Sequence, residues 1–247
     1  MKKISAVIIT KNEEKNISRC LDSVRWCDEI IIVDDYSSDN TQNIAMKYGV
    51  KLYKRKLKNF SDQRNYAIKK ASFDWILFID ADEVISKNLS DEIRDYIEDD
   101  SISGLKVTRV DYMWGKKLTH GESYNFKITR VCKKNNSQWI GNVHEVLQVN
   151  GMVENLKNPL LHFPHQKVSD FLSEINFYSS LRAQELYHKK ISVNGLDIIF
   201  LSIAKFKQNY ILKLGFLDSL PGLIHAIMMS FYTFQVRSKL YLLWKKG

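Results

Sequence analysis

The stretch WILFIDADEV, residues 75–84, places five consecutive apolar side chains ahead of a short acidic segment. Strands that are buried on both faces are typically continuous apolar runs, so residues 75–79 predict an interior strand of a parallel sheet. Asp80, Asp82 and Glu83 follow at the carboxyl end of this strand, which is the edge where open α/β sheets bind ligands. Clustered carboxylates repel one another unless a positive group lies between them. A divalent cation that carries a phosphorylated ligand meets this need.

The residues that precede this strand repeat the same pattern. ISAVIIT (4–10) and EIIIVDD (29–35) are apolar and rich in β-branched residues, and the second also ends in two acids, Asp34 and Asp35. Helical patterns separate the strands, and TKNE, with Thr10 and Glu13, fits a capping box at the start of the first helix. Alternating strands and helices predict a doubly wound α/β sheet, in which both pairs of acids open on one edge.

The second half of the chain has a different organisation. Strand patterns that are separated by irregular loops follow residue 103, which predicts antiparallel or mixed pairing. From about residue 167 the pattern is helical. We therefore predict a mixed α/β domain over residues 1–166 and a helical region over residues 167–247, with helices within 196–213 and 220–244.

Most of the positive charge lies near the end of the chain. The net charge is +9, and seven basic residues against one acidic residue after position 200 supply six of these charges. The same segment is rich in aromatic and aliphatic residues, which favours an anionic membrane surface over nucleic acid as the partner. A helical subdomain with a solvated basic face is the alternative. We predict no transmembrane span, because the best apolar window is shorter than the roughly 20 residues required.

The cysteines and the N-terminus predict the compartment. Three cysteines without metal-ligand spacing are typical of buried thiols in a reducing compartment, and no signal-cleavage pattern follows the N-terminal lysines. We therefore expect a cytoplasmic protein, peripheral on the inner face of the cytoplasmic membrane.

A sugar nucleotide fits the two acidic strand ends. Its base and ribose offer hydrogen-bond donors to Asp35 and Asp80, and its diphosphate needs a cation that Asp82 can ligate. Mg²⁺ or Mn²⁺ prefers such an oxygen site, held by few carboxylates together with substrate phosphates. The alternative is that these acids only cap strand ends and helix starts.

Several motifs together resemble a known family. They are VIITKNEEKNISRCLDSV (7–24), IIIVDDYSSDNT (30–41), FSDQRNYAIKKASFDWILFIDADEV (60–84), NVHEVLQV (142–149) and the tail NYILKLGFLDSLPGLIHAIMMSFYTF (209–234). This set resembles the family 2 inverting glycosyltransferases of GT-A fold, and within them the lipopolysaccharide inner-core β-glucosyltransferases. The resemblance implies a GT-A, Rossmann-like mixed sheet with helices on both faces and a C-terminal helical extension.

The resemblance also implies roles for individual residues on the donor side. It places Thr10 and Asp35 near the nucleobase, Asp80 at the ribose and Asp82 on a Mn²⁺ or Mg²⁺ ion. The pocket segment comprises Gln63, Arg64 and Asn65.

Arg130 lies where the group has a basic residue before a Leu-Phe pair, although here Val131 and Cys132 follow it. Arg64 and Arg130 are suited to neutralise the diphosphate, because a guanidinium matches phosphate oxygens. Either arginine is alternatively an ordinary surface cation.

Inversion requires a base that takes the proton of the acceptor hydroxyl. Glu145 is the first candidate and Asp111 the second, since both are carboxylates outside the expected metal site.

The implied activity is transfer of a hexose, with UDP-glucose as the leading donor, to a glycan or glycolipid acceptor such as lipopolysaccharide core. A polypeptide acceptor stays open. A different alternative is a haloacid dehalogenase-like phosphatase, since an apolar strand followed by D-x-D-x-V resembles that family's opening motif and makes Asp80 the nucleophile.

Overall fold

The computed structural model describes residues 1–141, 145–164 and 166–246. The chain forms two compact units, one of residues 1–109 with 127–162 and the other of residues 110–126 with 163–247. The sequence predicts a boundary at residue 166, whereas the segment 110–126 belongs with the C-terminal helices. Asp218 is the reason in part, because its carboxylate accepts hydrogen bonds from the Thr119 backbone and hydroxyl, both at 2.9 Å.

The first unit consists of strands and helices that alternate through residue 97. In chain order they are β1 (Ile4–Thr10), α1 (Ile17–Ser23), β2 (Glu29–Asp34), α2 (Thr41–Met46), β3 (Lys51–Lys54), α3 (Phe60–Lys70), β4 (Trp75–Asp80), β5 (Glu83–Val84) and α4 (Lys87–Ile97). Strands then dominate up to residue 162, namely β6 (Ile102–Met113), β7 (Lys116–Lys117), β8 (Phe126–Lys133), β9 (Ser137–Ile140), β10 (Val146–Val149), β11 (Met152–Asn155) and β12 (Leu160–His162), of which β7 lies in the second unit. β6 runs from the first unit into the second.

The main sheet is mixed, as the sequence predicts. Its order is β3-β2-β1-β4-β8-β6-β12-β5, with β11 beside β6. The first four strands pair in parallel, whereas β8 runs antiparallel to β4. β9 and β10 form a separate antiparallel hairpin.

Helices cover both faces of this sheet. On one face, α1 and α4 bury Ile17, Leu21, Leu89 and Ile93 against β1 and β4. On the other face, Ala67 and Ile68 of α3 pack with Phe78 of β4 and with Trp139 and Leu147 of the hairpin. The apolar run of β4 is therefore continuous because both of its faces are buried.

One predicted helix start is wrong. Thr10 does not form a capping box with Glu13, because its hydroxyl donates to Asp34 at 3.0 Å and the first helix begins only at Ile17. Helix α3 is capped by Asn59, whose side chain accepts a hydrogen bond from the Asp62 backbone N–H.

The second unit is helical apart from residues 110–126. Its helices are α5 (Val168–His188), α6 (Gly195–Lys207) and α7 (Ser219–Lys246), and a π-helical turn (Gln208–Leu212) extends α6. α5 and α7 pack through Ala183, Leu186, Val236 and Leu240. In the described part of the chain no single helix is long and apolar enough to cross a membrane, but Gly195–Leu212 with Gly215–Lys245, bent by 70°, together pass that test of length and composition.

Candidate active site

The two acidic strand ends lie on one edge of the parallel sheet. Asp34 pairs in register with Thr10, and Asp80 pairs with Ile9, so the ends of β2 and β4 flank the end of β1. This is the carboxyl edge at which α/β sheets bind ligands. The sequence-based expectation that both pairs of acids open together therefore matches the register.

Asp34 and Asp35 have different surroundings at this edge. Asp34 is fully buried and accepts hydrogen bonds from Thr10, Ser37 and Gln42, so it shapes the loop after β2. Asp35 accepts from the Leu57 backbone at 2.9 Å and from the Lys11 ammonium at 2.6 Å. Burial raises the pKa of Asp35, but these two donors outweigh it and hold the pKa below its usual value.

Asp80 lies between two arginines. Arg64 of α3 donates to one carboxylate oxygen at 2.7 Å, and Arg130 of β8 donates to the other at 2.6 Å. Burial opposes ionisation of Asp80, but the attraction of Arg130 and Arg64 prevails and holds its pKa far below the usual range. The side chain remains 29% exposed, so part of the carboxylate is open to a ligand.

Arg130 also binds Glu83, which makes Glu83 a structural residue of the site. Their ion pair is 2.6 Å long, and Glu83 in addition accepts the Asp80 backbone N–H at 2.9 Å. Glu83 is fully buried, and burial raises its pKa despite the nearby arginine. Arg130 is itself 5% exposed and is no surface cation.

Asp82 forms a pair with a residue that the sequence analysis does not select. Its carboxylate lies 3.1 Å from Nε2 of His162, at the end of β12, which pairs antiparallel with β5. Burial raises the pKa of Asp82, and the imidazole more than compensates, so the pKa is lowered. His162 is the terminal residue of a short apolar strand that lies 80 residues away from Asp82 in sequence. The sequence indicates His162 only through its position at the end of a strand, where the acids of the site also lie.

A divalent cation fits these residues as a partner of a phosphorylated ligand. Within residues 1–141, 145–164 and 166–246, no group of three or more His, Cys, Asp and Glu side chains is arranged to hold a metal by itself. Asp82 and His162 could supply one oxygen and one nitrogen donor, and Mg²⁺ and Mn²⁺ sites commonly take their remaining ligands from substrate phosphates and water. Glu13 lies close enough to Asp80 and Asp82 for their charges to raise its pKa, which burial and these acids bring to about 7.

The three residues of the pocket segment take separate roles. Gln63 binds Arg55 twice, with its amide donating to the Arg55 carbonyl at 2.9 Å and accepting from its guanidinium at 2.8 Å. Asn65 binds the Trp139 backbone at both its N–H and its carbonyl, at 2.9 and 2.8 Å, and thereby attaches α3 to β9. Only Arg64 directs its charge to the acids of the strand ends.

Of the two candidate bases, the structure connects Glu145 to this cluster. Glu145 forms an ion pair with Arg64, whose guanidinium also lies over the Trp139 ring at 4.5 Å. Asp111 is buried on the part of β6 that belongs to the second unit. Of the motif NVHEVLQV, Asn142, Val143 and His144 lie outside the described residues.

The comparisons with known proteins agree with this fold. The family model described as "Glycosyl transferase family 2" matches residues 5–150. An uncharacterised glycosyltransferase of Rickettsia typhi is 28% identical over 97% of this chain and 87% of its own length. The lipopolysaccharide core biosynthesis glycosyltransferase LpsC of Rhizobium meliloti is 27% identical over 96% of this chain and 92% of its own.

Two solved structures share the fold at low sequence identity. Staphylococcus aureus TarS, crystallised with UDP-GlcNAc, has a TM-score of 0.51 at 15% identity and covers 99% of this chain and 92% of that chain. Glucosyl-3-phosphoglycerate synthase of Mycobacterium tuberculosis, in complex with Mn²⁺, UDP and phosphoglyceric acid, has a TM-score of 0.51 at 15% identity. The match covers 78% of this chain and 81% of that chain.

The fold and the site define an α/β protein whose sheet edge carries acids paired with arginines. The chain belongs to glycosyl transferase family 2. The predicted GT-A mixed sheet with a helical C-terminal extension is thereby confirmed, and the phosphatase alternative is wrong. Asp80 is also unsuited to be a nucleophile, because both of its carboxylate oxygens bind arginines.

Proposed function

We propose that this chain is an inverting, metal-dependent hexosyltransferase that moves a hexose from a UDP-sugar to a lipopolysaccharide core or a related cell-surface glycan. The observation that carries the proposal is the pairing of Asp82 with His162 at the same sheet edge as Asp35 and Asp80. This edge offers acceptors for a nucleoside and two ligands for a cation, which is what a nucleoside diphosphate requires.

On the donor side, Asp35 and Thr10 are proposed to contact the nucleobase and Asp80 the ribose. Asp82 and His162 would hold Mn²⁺ or Mg²⁺, and the ion, when bound, neutralises charge on the diphosphate. Arg64 and Arg130 add fixed positive charge next to Asp80. Both guanidiniums are held by ion pairs, so little reorganisation is needed when the leaving group gains charge.

For the transfer itself, a carboxylate has to accept the acceptor proton as the hydroxyl oxygen forms its bond to the anomeric carbon. The bond between that carbon and the diphosphate oxygen breaks, and UDP leaves with the electron pair. We assign the proton to Glu145, because its ion pair with Arg64 keeps it near the donor-side acids. Asp111 is the second candidate.

Two neighbours support a UDP-sugar donor and a divalent ion. TarS was crystallised with UDP-GlcNAc, and the mycobacterial synthase was crystallised with Mn²⁺ and UDP. LpsC, a lipopolysaccharide core biosynthesis glycosyltransferase that matches nearly the whole chain, supports a lipopolysaccharide core acceptor. Glucose is the hexose that we favour, from the resemblance to inner-core β-glucosyltransferases.

Such an acceptor is a glycolipid, so we further propose that the enzyme works at an anionic membrane surface on the inner face of the cytoplasmic membrane, with no nucleic acid partner. The charge distribution supports this location, since six of the nine net positive charges follow residue 200.

A nucleotide-sugar screen tests the proposal. Purified protein is incubated with UDP-glucose, UDP-galactose, UDP-N-acetylglucosamine and GDP-mannose, with Mn²⁺ or with chelator, and UDP or GDP release is measured with and without a truncated lipopolysaccharide core. We expect acceptor-stimulated UDP release from UDP-glucose that needs the metal. Asp82→Ala should abolish this UDP release. The matched control is Asp100→Ala, at an aspartate whose side chain is 93% exposed, and it should release UDP like the parent. Metal-independent release, or release from GDP-mannose alone, contradicts the proposal.

A further inference from the structure

Helix α6 has its polar side inward and its apolar side outward. Ser202 is the buried residue of this helix, and its backbone carbonyl accepts a hydrogen bond from Ser230 of α7 at 2.7 Å. In contrast, Leu196 is 65% exposed and Phe200 is 63% exposed. A helix of a protein surrounded by water carries the opposite arrangement, with its apolar stripe toward the core.

The connection from α6 to α7 continues this inverted pattern. Leu212 and Leu220 are 76% and 65% exposed, and most of the residues between them are exposed as well. The buried residues nearby are polar or glycine: Asn209 is 1% exposed, Asp218 is 2% exposed, and Gly215 is also buried. We call the exposed apolar residues of α6 and this connection the apolar tip; its members are Leu196, Ile199, Phe200, Leu201, Ile203, Ile211, Leu212, Leu214, Phe216, Leu217 and Leu220.

Polar contacts stabilise the inward side of α6 and of its connection to α7. Glu122 accepts from the Lys205 ammonium at 2.8 Å and from the Asn209 amide at 3.2 Å. Asp218 accepts from the backbone N–H groups of Thr119 and His120 at 2.9 and 2.8 Å. Polar side chains that face inward and bind one another are the arrangement of helices in lipid, where no water is available to satisfy them.

Glycine allows the backbone to pack closely at the same place. A side chain on Gly222 would approach the Gly215 carbonyl oxygen to 2.0 Å, and one on Gly215 would approach the Asn209 carbonyl oxygen to 2.6 Å. Close packing of small residues is a further property of helix pairs in membranes.

From these observations we infer that the apolar tip inserts into the acyl region of one leaflet of the bilayer, so that the enzyme is anchored by insertion as well as by charge. The inference deepens the membrane part of the proposed function and does not depend on the donor. Lys207 and Lys213 are exposed on the same segment, and their long side chains can reach the headgroups of anionic lipids. This placement of basic residues beside an apolar surface favours a bilayer over a second copy of the chain. Anionic headgroups attract the lysines, whereas the tip of a second copy would carry the same positive charges and repel them.

Insertion and electrostatic adsorption differ in their response to salt. At about 1 M salt the screening length is about 3 Å, so attraction between lysines and lipid headgroups is lost, whereas burial of apolar area persists. We therefore expect the wild-type protein to float with phosphatidylcholine–phosphatidylglycerol vesicles at low salt and to remain largely bound at about 1 M NaCl.

Matched double variants separate the two contributions. Phe200→Ser with Leu212→Ser should lower salt-resistant binding at least about tenfold, because two large side chains no longer enter the acyl region. Lys207→Ala with Lys213→Ala should weaken binding at low salt and leave the salt-resistant fraction unchanged. Met46→Ser with Met152→Ser, at residues of the first unit that are 57% and 51% exposed, should bind like the wild type.

UDP release from UDP-sugar in the absence of vesicles is measured on every variant, so that a failed transferase proposal is distinguished from failed insertion. The inference is overturned if the wild-type protein dissociates completely at high salt, or if the Phe200→Ser, Leu212→Ser variant floats as well as the wild type. It is equally overturned if the wild type does not float and instead dimerises in gel filtration in a way that the same two substitutions abolish, since a second copy then covers the apolar tip.

Discussion

Glu145 and Arg64 form an ion pair, and the same guanidinium binds Asp80. The candidate base is therefore linked through one arginine to Asp80, at the carboxyl edge of the parallel strands. Arg64 is held from its other side by the Trp139 ring, so its position is fixed by packing as well as by charge. Arg64 thereby fixes the position of Glu145 relative to Asp80.

The first prediction is that Glu145→Gln lowers the rate of sugar transfer by at least about a hundredfold, because losing a positioned base costs about 10²–10⁴ in rate. Glutamine retains the size and an oxygen for Arg64, so binding of UDP-sugar with Mn²⁺ should stay close to that of the parent. Steady-state transfer rates and calorimetric affinities check the two parts separately.

Asp111→Asn is the companion variant for this test. If it is inactive while Glu145→Gln turns over normally, Asp111 is the base. If both remain active, neither residue is.

The second prediction concerns the cation. Asp82→Ala and His162→Ala should each remove most of the gain in UDP affinity that Mn²⁺ gives, because each supplies one of the two protein donors of the proposed site. Calorimetry with Mn²⁺ and with chelator measures this gain, and circular dichroism reports whether the fold is intact. Equal Mn²⁺-dependent affinity in parent and Asp82→Ala proteins would remove the metal-site interpretation, and Asp100→Ala serves as the exposed control.

The third prediction separates a nucleobase contact from a loop contact at Asp35. Asp35→Ala should weaken UDP binding by at least about tenfold with or without metal, since its proposed contact is to the base and a hydrogen bond to a charged group contributes about 1.5–3 kcal/mol. Asp35→Asn keeps an oxygen for the Leu57 backbone N–H and loses the charge that faces Lys11. If the asparagine variant binds UDP like the parent while alanine does not, the loop contact accounts for the loss.

The fourth prediction is a pH dependence of stability that originates at Glu13. Its pKa is raised from 4.5 to about 7, so the folded protein binds more protons than the unfolded chain between these pH values. The free energy of unfolding should therefore fall as the pH rises through this range, by at most about 3 kcal/mol from this residue.

Glu13→Gln cannot ionise and keeps an oxygen for the Asn16 amide that donates to Glu13 at 2.9 Å. Urea unfolding measures the free energy of unfolding of the variant and of the parent. From pH 5 to pH 8 the parent should lose up to about 3 kcal/mol relative to the variant. A difference that does not change with pH would contradict the raised pKa.

The fifth prediction concerns stability at Arg130. Arg130→Met leaves the fully buried Glu83 without its ion-pair partner, and breaking a buried pair from one side costs about 3–5 kcal/mol. The midpoint of urea unfolding should fall accordingly. Arg25→Met removes an arginine whose side chain is 68% exposed, and it should leave the midpoint unchanged.

Much of the acidic sheet edge could be predicted from the sequence because local patterns encode it. The continuous apolar runs of β2 and β4 identify them as interior strands, and Asp35, Asp80 and Asp82 follow directly at their ends. The resemblance predicts a role for the two arginines. Their actual partners depend on tertiary structure, since Arg130 lies 50 residues from Asp80 in sequence.

Other features could not be predicted from local patterns. His162 reaches Asp82 only because β12 pairs with β5. Such a pairing between distant parts of the chain produces no hydrophobic periodicity that would identify one histidine in the sequence. Thr10 and Glu13 have the spacing of a capping box, but the buried Asp34 competes for the Thr10 hydroxyl, and the helix starts later. The resemblance places Asn65 in the pocket segment, and its contacts with the backbone of Trp139 depend on the packing of α3 against β9.

The double attachment of Asp80 has a consequence for mutational scans of this enzyme. Alanine at position 80 removes the proposed ribose contact and at the same time leaves two guanidiniums without a shared counter-ion, one of them bound next to Glu145 and the other next to Glu83. A lower activity of that variant could therefore arise from the proposed substrate contact, from the position of Glu145 or from folding, and the activity alone does not distinguish these causes. Sugar-donor recognition at this residue becomes separable only in a double-mutant cycle that varies the nucleotide ribose, for example UDP against 2′-deoxy-UDP, together with Asp80→Asn.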